Sequence, residues 1–402
     1  MLERTLVRGG VLVDGRGSPP APGDVVIADG RIVEVGPDLD GDVEVDATGM
    51  TVLPGLFDCH VHVTADGPDL LRSLGQPFSY QFYRAAANLA ATLDCGITTV
   101  RDAGGADLGV RTAVEDGLVE GPRMQVAITI LSQTGGHNDG WVPSGCSLGL
   151  VGGGHPGAPA PIVDGPEEMR RKVRELVRAG ADVIKVCTSG GVLSPRDDPR
   201  HAHFRDEELE VCVAEAAAAG RFVMAHAQAT EGIKAAVRTG IRSVEHGIFL
   251  DDEAIAMMLE RGTWLVPTLV APRAVLAAAA AGARIPPESV RKAEEVVGHH
   301  AGSFARAVAA GVKVAMGTDS GVGPHGDNLE ELALMAEGGM DPIDVWAAAT
   351  SSAAELMGLG DELGALEVGK RADLVLLAGE PTDLSALRSR VRGVWKDGSR
   401  VR

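Results

Sequence analysis

Aromatic side chains make up only 3% of this 402-residue chain, Lys and Arg number 37 against 56 Asp and Glu, and no two cysteines have CxxC spacing. Each shortage excludes something. Scarce aromatics argue against stacking platforms for single-stranded nucleic acid. The formal net charge of −19 opposes phosphate backbones and anionic membranes, and it favours a small uncharged or cationic substrate. The cysteines at 59, 95, 146, 187 and 212 are odd in number and several lie in apolar strand or helix patterns, so reduced, mostly buried thiols are expected. Long hydrophobic runs are missing too: even Val275 to Ala281 is soon broken by Gly282 and Arg284. The stretch from Met1 to Gly10 lacks an apolar leader core and reads directly as strand and turn. A cytoplasmic protein is expected, with a small-molecule substrate and further copies of itself in a homo-oligomer as partners, and neither nucleic acid nor membrane.

What is present falls into two styles. Residues 1 to about 50 alternate short apolar strands with Asp-Gly turns at Asp14-Gly15 and Asp29-Gly30, and the chain end returns to that style with Asp397-Gly398. The two ends are expected to build one composite β-sandwich. Between them strand and helix patterns alternate. Strands are expected over Thr51 to Val61, Ile97 to Asp102, Met124 to Thr129, Asp182 to Val186, Phe222 to His226, Ser243 to His246, Trp264 to Thr268 and Lys313 to Asp319. Helices are expected over Tyr80 to Asp94, Glu167 to Ala179, Asp206 to Ala219 and Asp327 to Glu337. The count is that of an α/β protein with a (β/α)8 TIM barrel, whose chemistry sits at the C-terminal ends of the strands. The expected division is 1–53 and 363–402 for the sandwich and 54–362 for the barrel.

Lys185 lies inside the apolar run Asp182-Val183-Ile184-Lys185-Val186. A lone buried ammonium costs several kcal/mol unless it is paired or chemically changed. A salt bridge to a barrel carboxylate is one answer. The other is loss of the proton and addition of carbon dioxide, giving an anionic carbamate able to bridge two metal ions.

The remaining strand ends favour the second answer. His60 and His62 are two apart, so strand periodicity puts both imidazoles on one face. His226, His246 and Asp319 end the fifth, sixth and eighth expected strands. Alone, each could be a backbone hydrogen-bonding group or a helix cap. Together they converge on the barrel axis with nitrogen and oxygen donors and no thiolate, a field suited to zinc first, and also to manganese, cobalt, nickel or iron. One ion would be held by His60, His62 and Asp319 and a second by His226 and His246, with carbamylated Lys185 and a hydroxide between. Such a hydroxide is a nucleophile near neutral pH, and Asp319 can carry its proton to the leaving group.

Pro54-Gly55-Leu56-Phe57-Asp58-Cys59-His60-Val61-His62, Val183-Ile184-Lys185-Val186, Ser243-Val244-Glu245-His246-Gly247, Gly317-Thr318-Asp319-Ser320 and the ending Leu363-Gly364-Ala365-Leu366-Glu367-Val368-Gly369-Lys370-Arg371-Ala372-Asp373-Leu374 resemble the amidohydrolase superfamily in its binuclear branch. The resemblance covers nearly the whole chain and lies nearest the imidazolonepropionase-like group with its Xaa-Pro dipeptidases and carboxypeptidases. It implies amide hydrolysis and leaves the substrate open; a dipeptide-like or N-acyl amino acid substrate is expected first. It also implies that His137, in Thr134-Gly135-Gly136-His137-Asn138-Asp139, touches the substrate. Relatives in the dipeptidase group often follow the fifth-strand histidine with Ala-Tyr, whereas this chain has Ala227-Gln228. His137 is then expected to polarise the scissile carbonyl, with Gln228 a weaker contact.

His325 is a further pocket-lining candidate from the last loop. His201 and His203 form a second HxH within a long loop, read as shaping the pocket or staying solvated. His299 and His300 are read as surface residues of a helix, and Gly152-Gly153-Gly154-His155 lacks the strand and helix a phosphate loop needs. Two rivals remain: the same site acting on a cyclic amide, lactone, carbamate or phosphotriester, and a barrel scaffold that has lost its metals.

Overall fold

The computed structural model describes residues 3–145, 155–194 and 196–402; Cys146 and the triple glycine 152–154 lie outside the described residues. The two chain ends form one sheet. Its strands run in the order 399–400, 391–396, 374–378, 50–54, 5–12, 21–28 and 31–36, with 43–46 also paired to 5–12. Leu374 to Ala378 lies antiparallel to Met50 to Pro54, with Leu374 opposite Pro54. The sheet has its own apolar core, including Val7, Val25, Ile27, Ile32, Val52, Leu374, Leu376 and Trp395. Asp29 and Gly30 both have positive φ, 49° and 72°, the conformation a two-residue hairpin of the favoured hand requires.

The expected strand from Thr51 to Val61 is in fact two. Met50–Pro54 belongs to the terminal sheet and Leu56–Val61 to the barrel. Gly55 is the crossing point: its N–H bonds the Asp373 carbonyl at 2.7 Å, and a Cβ there would lie 2.2 Å from Thr98 Oγ1. Only a glycine fits that approach.

The barrel consists of a three-stranded parallel sheet, Leu56–Val61, Ile97–Asp102 and Arg123–Val126, and a five-stranded one, Ile130–Leu131, Val183–Cys187, Phe222–Ala227, Ser243–His246 and Trp264–Val266. The third barrel strand thus breaks between Val126 and Ile130, around Ile128 at φ 67°. Closure on the other side comes from residues 313–320. Ala315 N bonds Leu265 O at 3.0 Å, Cys59 N bonds Met316 O at 2.9 Å and Asp319 N bonds His60 O at 2.7 Å. Among the described residues this gives the eight positions of a TIM barrel, with helices such as Tyr80–Asp94, Pro166–Ala179 and Asp206–Ala218 outside it. The helix expected from Asp327 begins later, at Glu330, because Asn328 turns inward and donates to Asp58 Oδ2 at 2.8 Å. Among the described residues no helix is long and apolar enough to cross a membrane.

Candidate active site

His60, His62, Lys185, His226, His246 and Asp319 all reach one cavity of about 130 Å3 in the barrel mouth. The ligand atoms of His60, His62 and Asp319 lie within 4.8 Å of one another. Asp319 Oδ1 is 3.2 Å from His62 Nε2 and 3.5 Å from His60 Nε2. Lys185 Nζ is 3.4 Å from the same His60 nitrogen. The His246 ring centre is 5.1 Å from that of His60 and 4.7 Å from that of His226.

The outer ring nitrogens are already committed. His60 Nδ1 is 2.8 Å from Glu245 Oε2, His62 Nδ1 is 2.7 Å from the Gly104 carbonyl and His246 Nδ1 is 2.7 Å from Thr268 Oγ1. Each pairing leaves Nε2 as the free ligand atom. His226 is turned the other way, because its Nε2 donates to the Gly190 carbonyl at 3.0 Å and Nδ1 remains. A ligating imidazole is commonly fixed in this manner by a partner on its far nitrogen. The chain holds His246 at φ 74°, Thr268 at φ 54° and Asp319 at φ 61°. Left-handed backbone is unfavourable for such residues and is a sign of strain held at a functional site.

The electrostatics suit cation binding. Burial, then the charge of Lys185, keep His60 well below the usual imidazole range. Burial likewise lowers His226 and His246, each helped by neighbouring imidazoles. Neutral rings with a free lone pair are the form that binds metal. Burial opposes charge on Asp319, yet His60 and His62 together hold its carboxyl below the ordinary value. Burial lowers Lys185, and among the described residues no carboxylate forms an ion pair with it. The nearby Glu245 is taken by Arg101, at 3.0 Å, and by His60. The salt-bridge alternative for Lys185 is therefore absent, and a deprotonable amine stands beside the histidines. His60, His62 and Asp319 together offer a donor set that fits a divalent ion.

Arg101 and Glu245 escaped the sequence reading, although each is a charge in an apolar strand, as Lys185 is. They are 2% and 0% exposed. Arg101 also donates to the Cys59 carbonyl at 2.7 Å, and Ser243 Oγ to Glu245 Oε1 at 2.5 Å. His300 is a second correction. It is buried and not on the surface, it lines the cavity, and its Nε2 bonds the His246 carbonyl at 2.9 Å. His299 is exposed.

His137 and Gln228 line the cavity. The His137 ring stacks on His226 at 4.1 Å, and its Nδ1 lies 2.6 Å from Ser194 Oγ and 3.2 Å from Asp197 Oδ2. Burial works against charge on Asp197, but the bond from His137 and its neighbours hold the carboxyl down at about 2. Gln228 is 5% exposed, and its Oε1 is buried with no hydrogen-bond partner among the described residues. A buried acceptor without a partner can take an N–H group. His325 does not line the cavity. Its ring nitrogens are engaged by Thr92 Oγ1 at 3.0 Å and the His62 carbonyl at 3.3 Å, so it backs His62 and has no nitrogen left for substrate. His203 is buried, and desolvation lowers its imidazole to about 4. His201 is exposed, and neither joins the cluster. His155 is tied to Asp107 at 3.2 Å between Phe78 and Phe82.

A closed eight-stranded barrel carrying such a cluster at its mouth defines a class of hydrolase, and comparison with known proteins agrees. The amidohydrolase family model matches residues 51–401, and the chain belongs to that family, as a hydrolase acting on carbon–nitrogen bonds. It is 36% identical to the ochratoxinase of Aspergillus niger, over 98% of this chain and 86% of that protein. Among solved structures it resembles a Xaa-Pro dipeptidase with bound methionine, at 32% identity and TM-score 0.90 over 99% of both chains. It also resembles a prolidase complexed with N-methylphosphonate-L-proline, at 38% identity and TM-score 0.90 over 99% of both chains.

Proposed function

We propose that this protein is a binuclear metal-dependent amidohydrolase that cleaves the amide bond of N-acyl amino acids or dipeptide-like substrates. The observation that carries the reading is the convergence of four imidazoles, Asp319 and an unpaired buried Lys185 on one small cavity. His60, His62 and Asp319 would hold one ion and His226 and His246 the other, with the Lys185 carbamate shared. Two such ions supply polarisation of the carbonyl and a water acidic enough to react near neutral pH. Asp319 would take a proton from the attacking water and return it to the departing nitrogen, so the carboxylate would end the cycle as it began. His137 is the polar group over the carbonyl, and the bare Gln228 Oε1 accepts an N–H of the substrate.

The approach to the site supports the substrate class. A second cavity of about 710 Å3 lies outside the first and shares Ala65, Gly67 and Leu70 with it. Its walls include Leu74, Phe78, Trp141 and Ile285, room and surface for a bulky apolar acyl group. That the similar proteins include an ochratoxinase, a Xaa-Pro dipeptidase and a prolidase fits an amide with an amino acid on one side. The same reading divides the chain at 1–53, 54–362 and 363–402, on the support of the crossing at Gly55 and the separate core of the terminal sheet. It keeps the protein in a reducing cytoplasm, which suits the buried free thiols of Cys59, Cys95, Cys187 and Cys212.

Metal-supplemented protein assayed against N-acyl amino acids with aromatic acyl groups, Xaa-Pro dipeptides and simple lactones tests the reading. Amide turnover is predicted, with Asp319→Asn lowering kcat by at least ~100-fold, the usual lower bound for losing acid–base help. Lactone hydrolysis without any amide turnover would overturn it.

A further inference from the structure

The loop that follows the fourth barrel strand doubles back on itself. Ser189 bridges Ala202, and Gly190 N donates to the His201 carbonyl at 3.1 Å. Inside this loop lies a buried charge that the reaction as derived does not use. Lys292, on the helix Pro287–Ala310, is only 3% exposed. Its ammonium donates to the Ser194 carbonyl at 2.8 Å, the Gly191 carbonyl at 3.2 Å and the Asp197 carbonyl, and it lies 3.2 Å from Asp197 Oδ1. All three of its protons are therefore satisfied, the condition under which a buried ion pair persists.

Asp197 is itself fully committed. One carboxylate oxygen accepts from Ser194 Oγ; the other accepts from Gly191 N at 3.1 Å and from His137 Nδ1 at 3.2 Å. The His137 ring is closely packed as well. His226 stacks on it with the two planes 18° apart, and a Cβ on Gly191 would fall 2.3 Å from its Cε1. Among the described residues, the hydrogen bonds to this imidazole and the close approach of Gly191 come from the loop that Lys292 pins.

We infer that Lys292 and Asp197 are positioning residues for His137: the ammonium fixes Gly191, Ser194 and Asp197, and the Asp197 carboxylate and Ser194 hydroxyl set the ring orientation that the substrate meets. The inference rests on the proposed contact of His137 with substrate. The alternative role for the pair is to stabilise the loop and nothing more.

A double-mutant cycle separates the two roles, because residues acting through one another are non-additive while independent ones add. Lys292→Met is predicted to lower kcat by ~10- to 100-fold, the scale of a group misplaced by about 1 Å, with KM and bound metal little changed. In a His137→Asn background the same substitution should change kcat by less than about 2-fold, within the usual limit of additivity. Equal losses in both backgrounds would overturn the inference. If Lys292→Met fails to fold, Ser194→Ala removes one hydroxyl and leaves the ion pair intact; it should show the same dependence on His137 with a smaller loss, and independence would again overturn the inference. Nitrogen-15 NMR of the His137 ring reads the positioning without any turnover. A hydrogen-bonded Nδ1–H signal should be present in the wild type and shifted in Ser194→Ala. An unchanged signal would contradict the positioning role, whereas wild-type kinetics in His137→Asn would refute only the proposed contact with substrate.

Discussion

Burial leaves Lys185 in need of a partner or a chemical change, and among the described residues no carboxylate forms an ion pair with it. At 2% exposure the ammonium would need a carboxylate, but Glu245 is shared between Arg101 and His60. Desolvation lowers the lysine, the direction that favours the neutral amine a carbamate would need. Lys185→Ala should therefore lose both metal and activity, and short carboxylic acids added with metal should restore part of each by standing in for the carbamate. Lys185→Arg should restore nothing, since guanidinium keeps its charge and forms no comparable adduct. Full activity in the arginine variant, measured with metal content, would end the carbamate assignment. At this scale much of the site was legible in the sequence, because His60, His62, His226, His246 and Asp319 sit where a strand pattern stops. Arg101 and Glu245 carried the same sign as Lys185, a charge within an apolar strand, and were passed over. Asp197 and Lys292 gave none: the contact between a loop and a helix almost a hundred residues on has no period to reveal it.

The segment 313–320, expected as a strand and paired here only through isolated bridges, shows how backbone sets the spacing of the candidate ligands. Gly317 lets it lie against its neighbours: a Cβ there would come within 2.4 Å of Val266 Cγ1 and 3.0 Å of His60 Cβ. Asp319, two residues on, takes its place opposite His60 through the Asp319 N bond to the His60 carbonyl. Gly317→Ala should force the strand away from His60, destabilising the fold by roughly 1–3 kcal/mol, as overpacking commonly does, and weakening metal binding at His60, His62 and Asp319. Denaturant unfolding and metal titration of the variant check both; unchanged metal affinity would show that the close approach does not set the site. Alternation of strand and helix patterns made the barrel readable from sequence. The crossing at Gly55 was not readable as a break, because apolar residues continue on both sides of it and hydrophobic pattern alone cannot mark where a strand changes sheets.

At the scale of the molecule, a closed barrel gathers distant strand ends, and the terminal sheet joins the two ends of the chain without reaching the cavity. The larger outer cavity and the small inner one share Ala65, Gly67 and Leu70, and the candidate ligands lie in the inner one. The account's central claim is that the inner cavity is a two-metal centre. Elemental analysis of protein purified without chelator, after growth with added metal and bicarbonate, measures this directly. Close to two equivalents of divalent metal per chain are predicted, falling on Lys185→Ala. A reproducible single equivalent, or none, in active protein would contradict it.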